Sequence, residues 1–267
     1  MNAIRPIKEW SRADRRRLKG VFVDIDDTLT DGGRVAANVF RAMEYLRRKG
    51  FILVPITGRP AGWCDMIART WPVDGVVGEN GAFYFRYDDK AKRMIRVYAD
   101  PPETRQAYRD RLQAIRAEVL ATVPGVAVAA DQAYRELDLA IDFAEDVTGV
   151  EEDAIDKVVA VFERHGATAK VSSIHVNGWF GDYDKLTMTK RFMRECYDVD
   201  LDAENSAYVY VGDSPNDSPM FGYFPNAVGV ANLSEMQDRC AALPAWITAQ
   251  ARGDGFVELA QMLLEDR

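Results

Sequence analysis

The chain has 267 residues, of which 48% are hydrophobic and 28% charged, the make-up of a globular protein rather than a disordered or fibrous one. That length is large for a single core, so two domains are expected. The net charge of −8 argues against nucleic acid as a partner, because a phosphate backbone needs basic faces. It leaves room for a local positive pocket around one phosphate.

No apolar run reaches the roughly 20 residues that span a bilayer, and the first ten residues contain no signal-peptide stretch. A cytoplasmic protein without a membrane partner is expected. Cys64, Cys196 and Cys240 lie far apart, form no metal-type spacing and read as reduced thiols. His165 and His175 are the only histidines, which argues against a His-rich metal centre.

Residues 1–19 are polar and basic, with Arg12, Arg15, Arg16, Arg17 and Lys19, and read as a solvated leader or first helix. Regular patterning begins at Val21. Residues 21–25 form a short apolar run, as expected of a strand buried on both faces. Val35, Val39, Ala42, Met43 and Leu46 then recur at helical spacing over 35–49, and Gly50 is a natural stop. A second buried strand is predicted at 51–57, a helix at 60–70 with Pro60 in its first turn, and a third strand at 75–78.

Between about 83 and 181 the pattern changes. Strands are predicted at 94–99, 126–130, 137–143 and 168–179, and helices at 102–122 and 151–165, the order of a separate α+β module. After Asp182 the first pattern resumes, with strands at 207–211, 227–231 and 245–248. Helices are predicted at 186–197, 216–223, 234–242 and 255–265. The expected fold is therefore α/β. A Rossmann-like parallel sheet with helices on both faces is built from residues 1–82 and 182–267, and an α+β domain is inserted at 83–181. Ligands of such sheets bind beyond the carboxyl ends of the strands.

Four loops fall at those ends. The first is Asp24-Ile25-Asp26-Asp27-Thr28-Leu29, where two carboxylates at i and i+2 can point to one site. One can attack phosphorus and the other can move a proton. The second is Thr57-Gly58-Arg59-Pro60, where a hydroxyl and free N–H groups before a helix suit a phosphate oxygen. The third is Gly181-Asp182-Tyr183-Asp184-Lys185, whose ammonium can hold a phosphate. The fourth, Gly212-Asp213-Ser214-Pro215-Asn216-Asp217, offers carboxylates that suit Mg²⁺. Each loop alone reads equally as a polar turn, a helix cap or a surface lysine. Their joint occurrence in this order is what points to phosphoryl transfer.

With these four loops the chain resembles a haloacid dehalogenase superfamily phosphatase, from Val21 nearly to its end. The insert between the third strand and Lys185, together with Glu79-Asn80-Gly81-Ala82, resembles subfamily IIB, which contains sugar-phosphate phosphatases and phosphomannomutases. The resemblance implies Asp24 as nucleophile and Asp26 as general acid and base. It implies Mg²⁺ held by Asp24, the backbone carbonyl of Asp26 and Asp213, with Asp217 a further ligand or a partner behind them. Thr57, Gly58 and Lys185 would hold phosphoryl oxygens, with Asn216 and Asn80 as further candidates.

The insert would be a cap that chooses a small phosphorylated substrate through Arg135, Glu136, His175, Asn177 and Trp179. A sugar phosphate is expected by family analogy. Two alternatives stay open, a phosphohexomutase and a non-catalytic phosphosugar-binding module.

Overall fold

The computed structural model describes residues 4–266. Its centre is the strand Gly20–Val23, buried at every residue. Both neighbours, Ile52–Pro55 and Tyr208–Gly212, run parallel to it. Val228–Gly229, Trp246–Ile247 and Arg5–Pro6 extend the sheet on the Tyr208 side, all in parallel. On the other side a parallel bridge from Ile56 to Val77 brings in Val76–Gly78. Alternate residues of a strand point to opposite faces, so a sheet covered on both sides needs unbroken apolar runs. Val21 and Val23 accordingly pack with Val39, Met43 and Leu46 of the helix Ala37–Arg48. Phe22 packs with Met188 and Phe192 of the helix Lys185–Tyr197.

A second, antiparallel sheet has the order Thr168–Val171, His175–Trp179, Asp138–Asp142, Ala127–Val128. The helices Pro102–Thr122 and Glu152–Arg164 cover one face, where Leu139, Ile141 and Val176 meet Leu112, Ile115, Val158 and Phe162. The approach is close enough that a side chain at Gly178 would overlap the Phe162 ring. Register places Asp138 beside Trp179, Ala140 beside Asn177 and Asp142 beside His175. These residues share the other face, which is polar apart from Ala140 and Trp179.

Four expectations need correction. The strand over 94–99 does not join the inserted sheet. Arg93–Tyr98 pairs with Phe83–Asp88, which pairs in turn with Val76–Gly78, because Phe83 and Phe85 are apolar enough to pack into the main core. The single strand over 168–179 is a hairpin of two strands. The helix over 234–242 is two short 3₁₀ turns, Ala231–Glu235 and Gln237–Arg239. The basic leader is not a solvated arm. Ile7, Trp10 and Leu18 are buried, Trp10 stacks on Trp246 with ring centroids 5.6 Å apart, and Arg15 pairs with Asp266 at 2.7 Å. Three apolar residues spaced through the charge run carried this signal. Among the described residues no helix is long and apolar enough to cross a membrane.

Replacing Trp10 with Ala should therefore lower unfolding stability in urea by about 3 kcal/mol, as large-to-small core substitutions do. A loss below about 0.5 kcal/mol would mean that the leader merely rests on the surface.

Candidate active site

The site lies where parallel strands end side by side. Asp24 follows Gly20–Val23 and donates its N–H to Val211 O at 2.9 Å. Thr57 lies just past Ile52–Pro55 and donates its N–H to Val77 O at 2.9 Å. Glu79 and Asn80 follow Val76–Gly78, and Asp213 follows Tyr208–Gly212. Continuing the ladder by one bond past each strand end is what brings the four loops to one place.

Asp24, Asp213 and Asp217 are buried, with carboxylate oxygens within 4.8 Å of one another. Lys185 opens its helix, is 2% exposed, and donates from Nζ to Asp24 Oδ1 and Asp217 Oδ1, both at 2.7 Å. One ammonium among three carboxylates leaves an excess of negative charge. Burial pushes the Asp24 carboxyl up to about 8, with Asp217 and Asp26 adding to the rise and Lys185 opposing it. Burial, then Asp24 and Asp217, push Asp213 well up. Burial alone would lower Lys185, but Asp217 and Asp24 raise it and keep it charged.

The donor set fits Mg²⁺, which prefers one or two carboxylates with water and phosphate oxygens. The oxygens are not equally free. Asp217 Oδ1 accepts from Lys185 and from the Tyr210 hydroxyl, and Oδ2 accepts from the N–H groups of Asp213 at 3.0 Å and Ser214 at 3.2 Å. That fills the four lone-pair positions of a carboxylate. Asp213 accepts one bond on each oxygen, from Thr28 and from Asn232, both at 3.2 Å.

Asp26 sits beside this cluster, 15% exposed in its side chain. Arg59 Nε donates to both its oxygens at 2.9 Å. The same guanidinium lies over the Trp63 ring and reaches across to the inserted sheet and its loops, to Glu145 at 2.6 Å and Asp131 at 3.3 Å. Burial would raise Glu145, yet His175 beside it and the Arg59 guanidinium bring it down to about 2. A second bridge is made by Glu79, which is fully buried. Its carboxylate accepts N–H bonds from Ala61 and Glu136 at 2.9 Å, Leu137 at 2.6 Å and Asp138 at 3.3 Å. Burial, then the Asp138 charge, push Glu79 up to about 8 against the pull of Arg135 and these N–H groups.

The loop turns through Glu79 at φ 43 and Asn80 at φ 54. Gly81 follows at φ 106, where a Cβ would lie 2.0 Å from Asp184 O, so only glycine lets this loop sit against the start of the Lys185 helix.

The structure brings Asp24, Asp26, Thr57, Gly58, Lys185, Asp213, Asn216, Asp217 and Asn80 to one region. Thr57 Oγ1 accepts from Arg59 N at 3.0 Å, and Asn216 Nδ2 reaches Asn80 Oδ1 at 3.5 Å. The side chains expected to meet substrate from the insert divide differently. His175 and Asn177 face the core, Asn177 donating to Asp138 at 2.9 Å and lying against Gly58. Arg135 faces it too, but its side chain has no exposure and is bonded to Asp131, Asp138 and Gly58 O, so it braces the contact instead of reaching a ligand. Glu136 turns its side chain to Arg105 and Tyr98. Trp179 is 1% exposed in the main core, stacked on Tyr183. These last two corrections follow from apolar burial and ion pairing that single-residue reasoning does not see.

Sequence reasoning also passed over Tyr210, Asn232, Asp131 and Glu145, and gave Thr28 and Glu79 no role of their own within the motifs that hold them. Tyr210 had a signal, since a hydroxyl inside a fully buried strand needs a partner. Arg59 had one in its place directly after Thr57-Gly58.

Residues 21–123 match the family model of the haloacid dehalogenase-like hydrolases. Over that segment the chain is similar to that family. Its fold is also similar to the C-terminal domain of trehalose-6-phosphate phosphatase from C. albicans, with TM-score 0.71, 13% identity and 99% of each chain covered. The sucrose-phosphatase of Synechocystis sp., solved with sucrose and phosphate, superposes with TM-score 0.63 at 18% identity, over 92% of this chain and 98% of that one. A sugar phosphatase of subclass IIB gives 0.61 at 15% identity, over 91% and 98%. No protein of curated function matches in sequence.

Two predictions follow from these bridges. Glu79→Ala leaves four N–H groups without their acceptor and should lower stability by about 3 kcal/mol in urea unfolding; a change within about 0.5 kcal/mol, the scatter of surface substitutions, would contradict the bridge. Glu145 has a lowered pKa, so its contribution is present above its ordinary value of 4.5 and is lost as pH falls towards about 2. The melting-temperature gap between wild type and Glu145→Gln should therefore narrow on acidification. A gap that stays constant would show that the ion pair does not hold the carboxyl down.

Proposed function

We propose that the chain is a magnesium-dependent phosphatase that hydrolyses a small phosphorylated metabolite through an aspartyl-phosphate on Asp24. The observation that carries this reading is Asp24 itself, buried at a strand end with one oxygen 2.7 Å from the Lys185 ammonium and Asp26 two residues on. The hydrolase family supports the reaction class. The fold shared with proteins described as trehalose-6-phosphate phosphatase and sucrose-phosphatase supports a sugar phosphate as substrate. The inserted sheet with its helices, residues 102–179, acts as the cap, and the enzyme works in the cytoplasm with its three cysteines as free thiols.

In this reading an Asp24 carboxylate oxygen attacks phosphorus, and the bond from phosphorus to the leaving alkoxide breaks. Asp26 gives that oxygen its proton. With the alcohol gone, Asp26 takes a proton from water, and the water oxygen attacks the phosphorus of the aspartyl-phosphate. Inorganic phosphate leaves and Asp24 is restored as a carboxylate. Lys185 holds one phosphoryl oxygen and opposes the rise that burial imposes on Asp24. Thr57 Oγ1, Gly58 N–H and Asn216 are placed to hold the others.

Arg59 orients Asp26 by its paired bonds. Mg²⁺ would be held by Asp24, Asp213 and the backbone carbonyl of Asp26, and when bound it supplies positive charge that offsets repulsion between the phosphoryl dianion and the carboxylates. Asp217, with every lone pair engaged, positions Lys185 and does not ligate.

Asp24→Asn should abolish turnover of an aryl phosphate while leaving the fold intact by circular dichroism, and a chelator should stop the wild-type reaction until Mg²⁺ is restored. Lys185→Ala should reduce kcat/KM by about 100-fold or more. Near-normal turnover by Asp24→Asn would remove the nucleophile from the account.

A further inference from the structure

The entrance to the site is lined by side chains of one charge. Asp26 and Asp27 stand on the core side, Glu145 and Asp146 on the cap side, with the turn at 32–33 and Ile174 between them. Arg59 is the one basic residue among these lining residues. Its side chain is 3% exposed and already held by three carboxylates, Asp26, Asp131 and Glu145. Arg252, at the rim, pairs with Asp27 at 3.1 Å and Asp31 at 3.6 Å. Arg135 lies behind Arg59, wholly buried between Asp131 and Asp138. Arg59 and Arg135 are thereby occupied, and Arg252, 39% exposed at the rim, is shared through Nε between two carboxylates.

Two buried polar atoms at the meeting of core and cap have no hydrogen-bond partner, Asn80 Nδ2 and His175 Nε2. Their residues are 2% and 3% exposed. His175 Nε2 lies 3.0 Å from Glu145 Oε2 without the alignment of a hydrogen bond. A buried donor without an acceptor is costly, and both atoms suit the hydroxyl oxygens of a ligand.

We propose that this entrance selects the leaving group by charge, admitting monophosphates of a neutral or amino-bearing polyol and rejecting those that carry a second carboxylate or phosphate. The proposal rests on the phosphatase reading of Asp24 and sharpens its substrate class. The physical basis is discrimination by repulsion. A second anion would meet Asp146 together with Glu145 and Asp27, whose charges Arg59 and Arg252 offset only in part, and like charges brought together reject wrong partners. A hexose bisphosphate needs a second cationic seat, so the phosphohexomutase alternative is disfavoured by the same feature.

The test compares matched pairs with Mg²⁺ at neutral pH. Glucose 6-phosphate and glucosamine 6-phosphate are set against 6-phosphogluconate, and glycerol 3-phosphate against 3-phosphoglycerate. Expected is a kcat/KM at least about tenfold higher for the neutral or amino-bearing member of each pair. The double variant Glu145→Gln, Asp146→Asn should narrow that ratio severalfold. Equal or faster turnover of the carboxylate-bearing members overturns the proposal, and an unchanged ratio in the double variant overturns its assignment to these residues.

Calorimetric binding of glucose 6-phosphate and 6-phosphogluconate to the Asp24→Asn protein reads the same selectivity without turnover. Selective binding without any aryl phosphate hydrolysis by wild type would count against the phosphatase reading and support the charge rule. Binding of neither compound, or equal binding of both, overturns the rule itself.

Discussion

The Lys185 ammonium between Asp24 and Asp217 is the interaction on which the rest of the site depends. Three buried carboxylates within reach of one another repel, and burial alone would neutralise them. Lys185 favours the charged form of Asp24 against burial and is itself kept in place by Asp217. Asp217 in turn is fixed by Tyr210 from within the sheet and by two N–H groups of its own loop. The strand Tyr208–Gly212 thus contributes more than the acidic turn that follows it. Its buried tyrosine is the far end of the chain of bonds that reaches Asp24, the proposed nucleophile. The charge that remains after this pairing is negative, which suits the proposed divalent cation.

The second constraint is the join between the two sheets. Strand periodicity puts Asp138, Asp142, His175 and Asn177 on one face, and that polar face is turned to the core because helices cover the other. Contact between two polar surfaces needs every buried charge matched. Arg59 and Arg135 serve the carboxylates of both sides, and Glu79 serves the backbone N–H groups at 61 and 136–138. Because Arg59 also grips Asp26, the carboxyl proposed to move the proton and the contact with the inserted domain share one guanidinium. The position of the cap is thereby tied to the chemistry by a bond network and not by packing alone.

Much of this was legible in the chain. Unbroken apolar runs identified the parallel strands, and the loops at their ends identified the chemistry, because those features depend on neighbours in sequence. Asp24, Asp26, Thr57 and Asp213 fall at or just past strand ends that any parallel arrangement would bring together, whereas Lys185 opens the helix that follows the antiparallel inserted sheet. What stayed hidden depends on partners distant in sequence. The leader looked solvated because its arginines outnumber Ile7, Trp10 and Leu18, yet those three decide its place. Trp179 looked like a recognition residue because a strand end gave no sign of Tyr183 beneath it. Arg135 looked free because Asp131 and Asp138, three and four residues away, also fit an ordinary polar surface. The roles of Tyr210 and Glu79 required the third dimension outright.

The central claim is that Asp24 carries the phosphoryl group, and it is tested most directly by finding that group there. The Asp26→Asn protein can accept a phosphoryl group from p-nitrophenyl phosphate, whose leaving group needs no proton, but lacks the base that activates water. Acid quench and peptide mass spectrometry should then find near-stoichiometric phosphorylation at Asp24. Phosphorylation of a different residue, or release of nitrophenol with no phosphoryl group on Asp24 at any time point, would contradict the account.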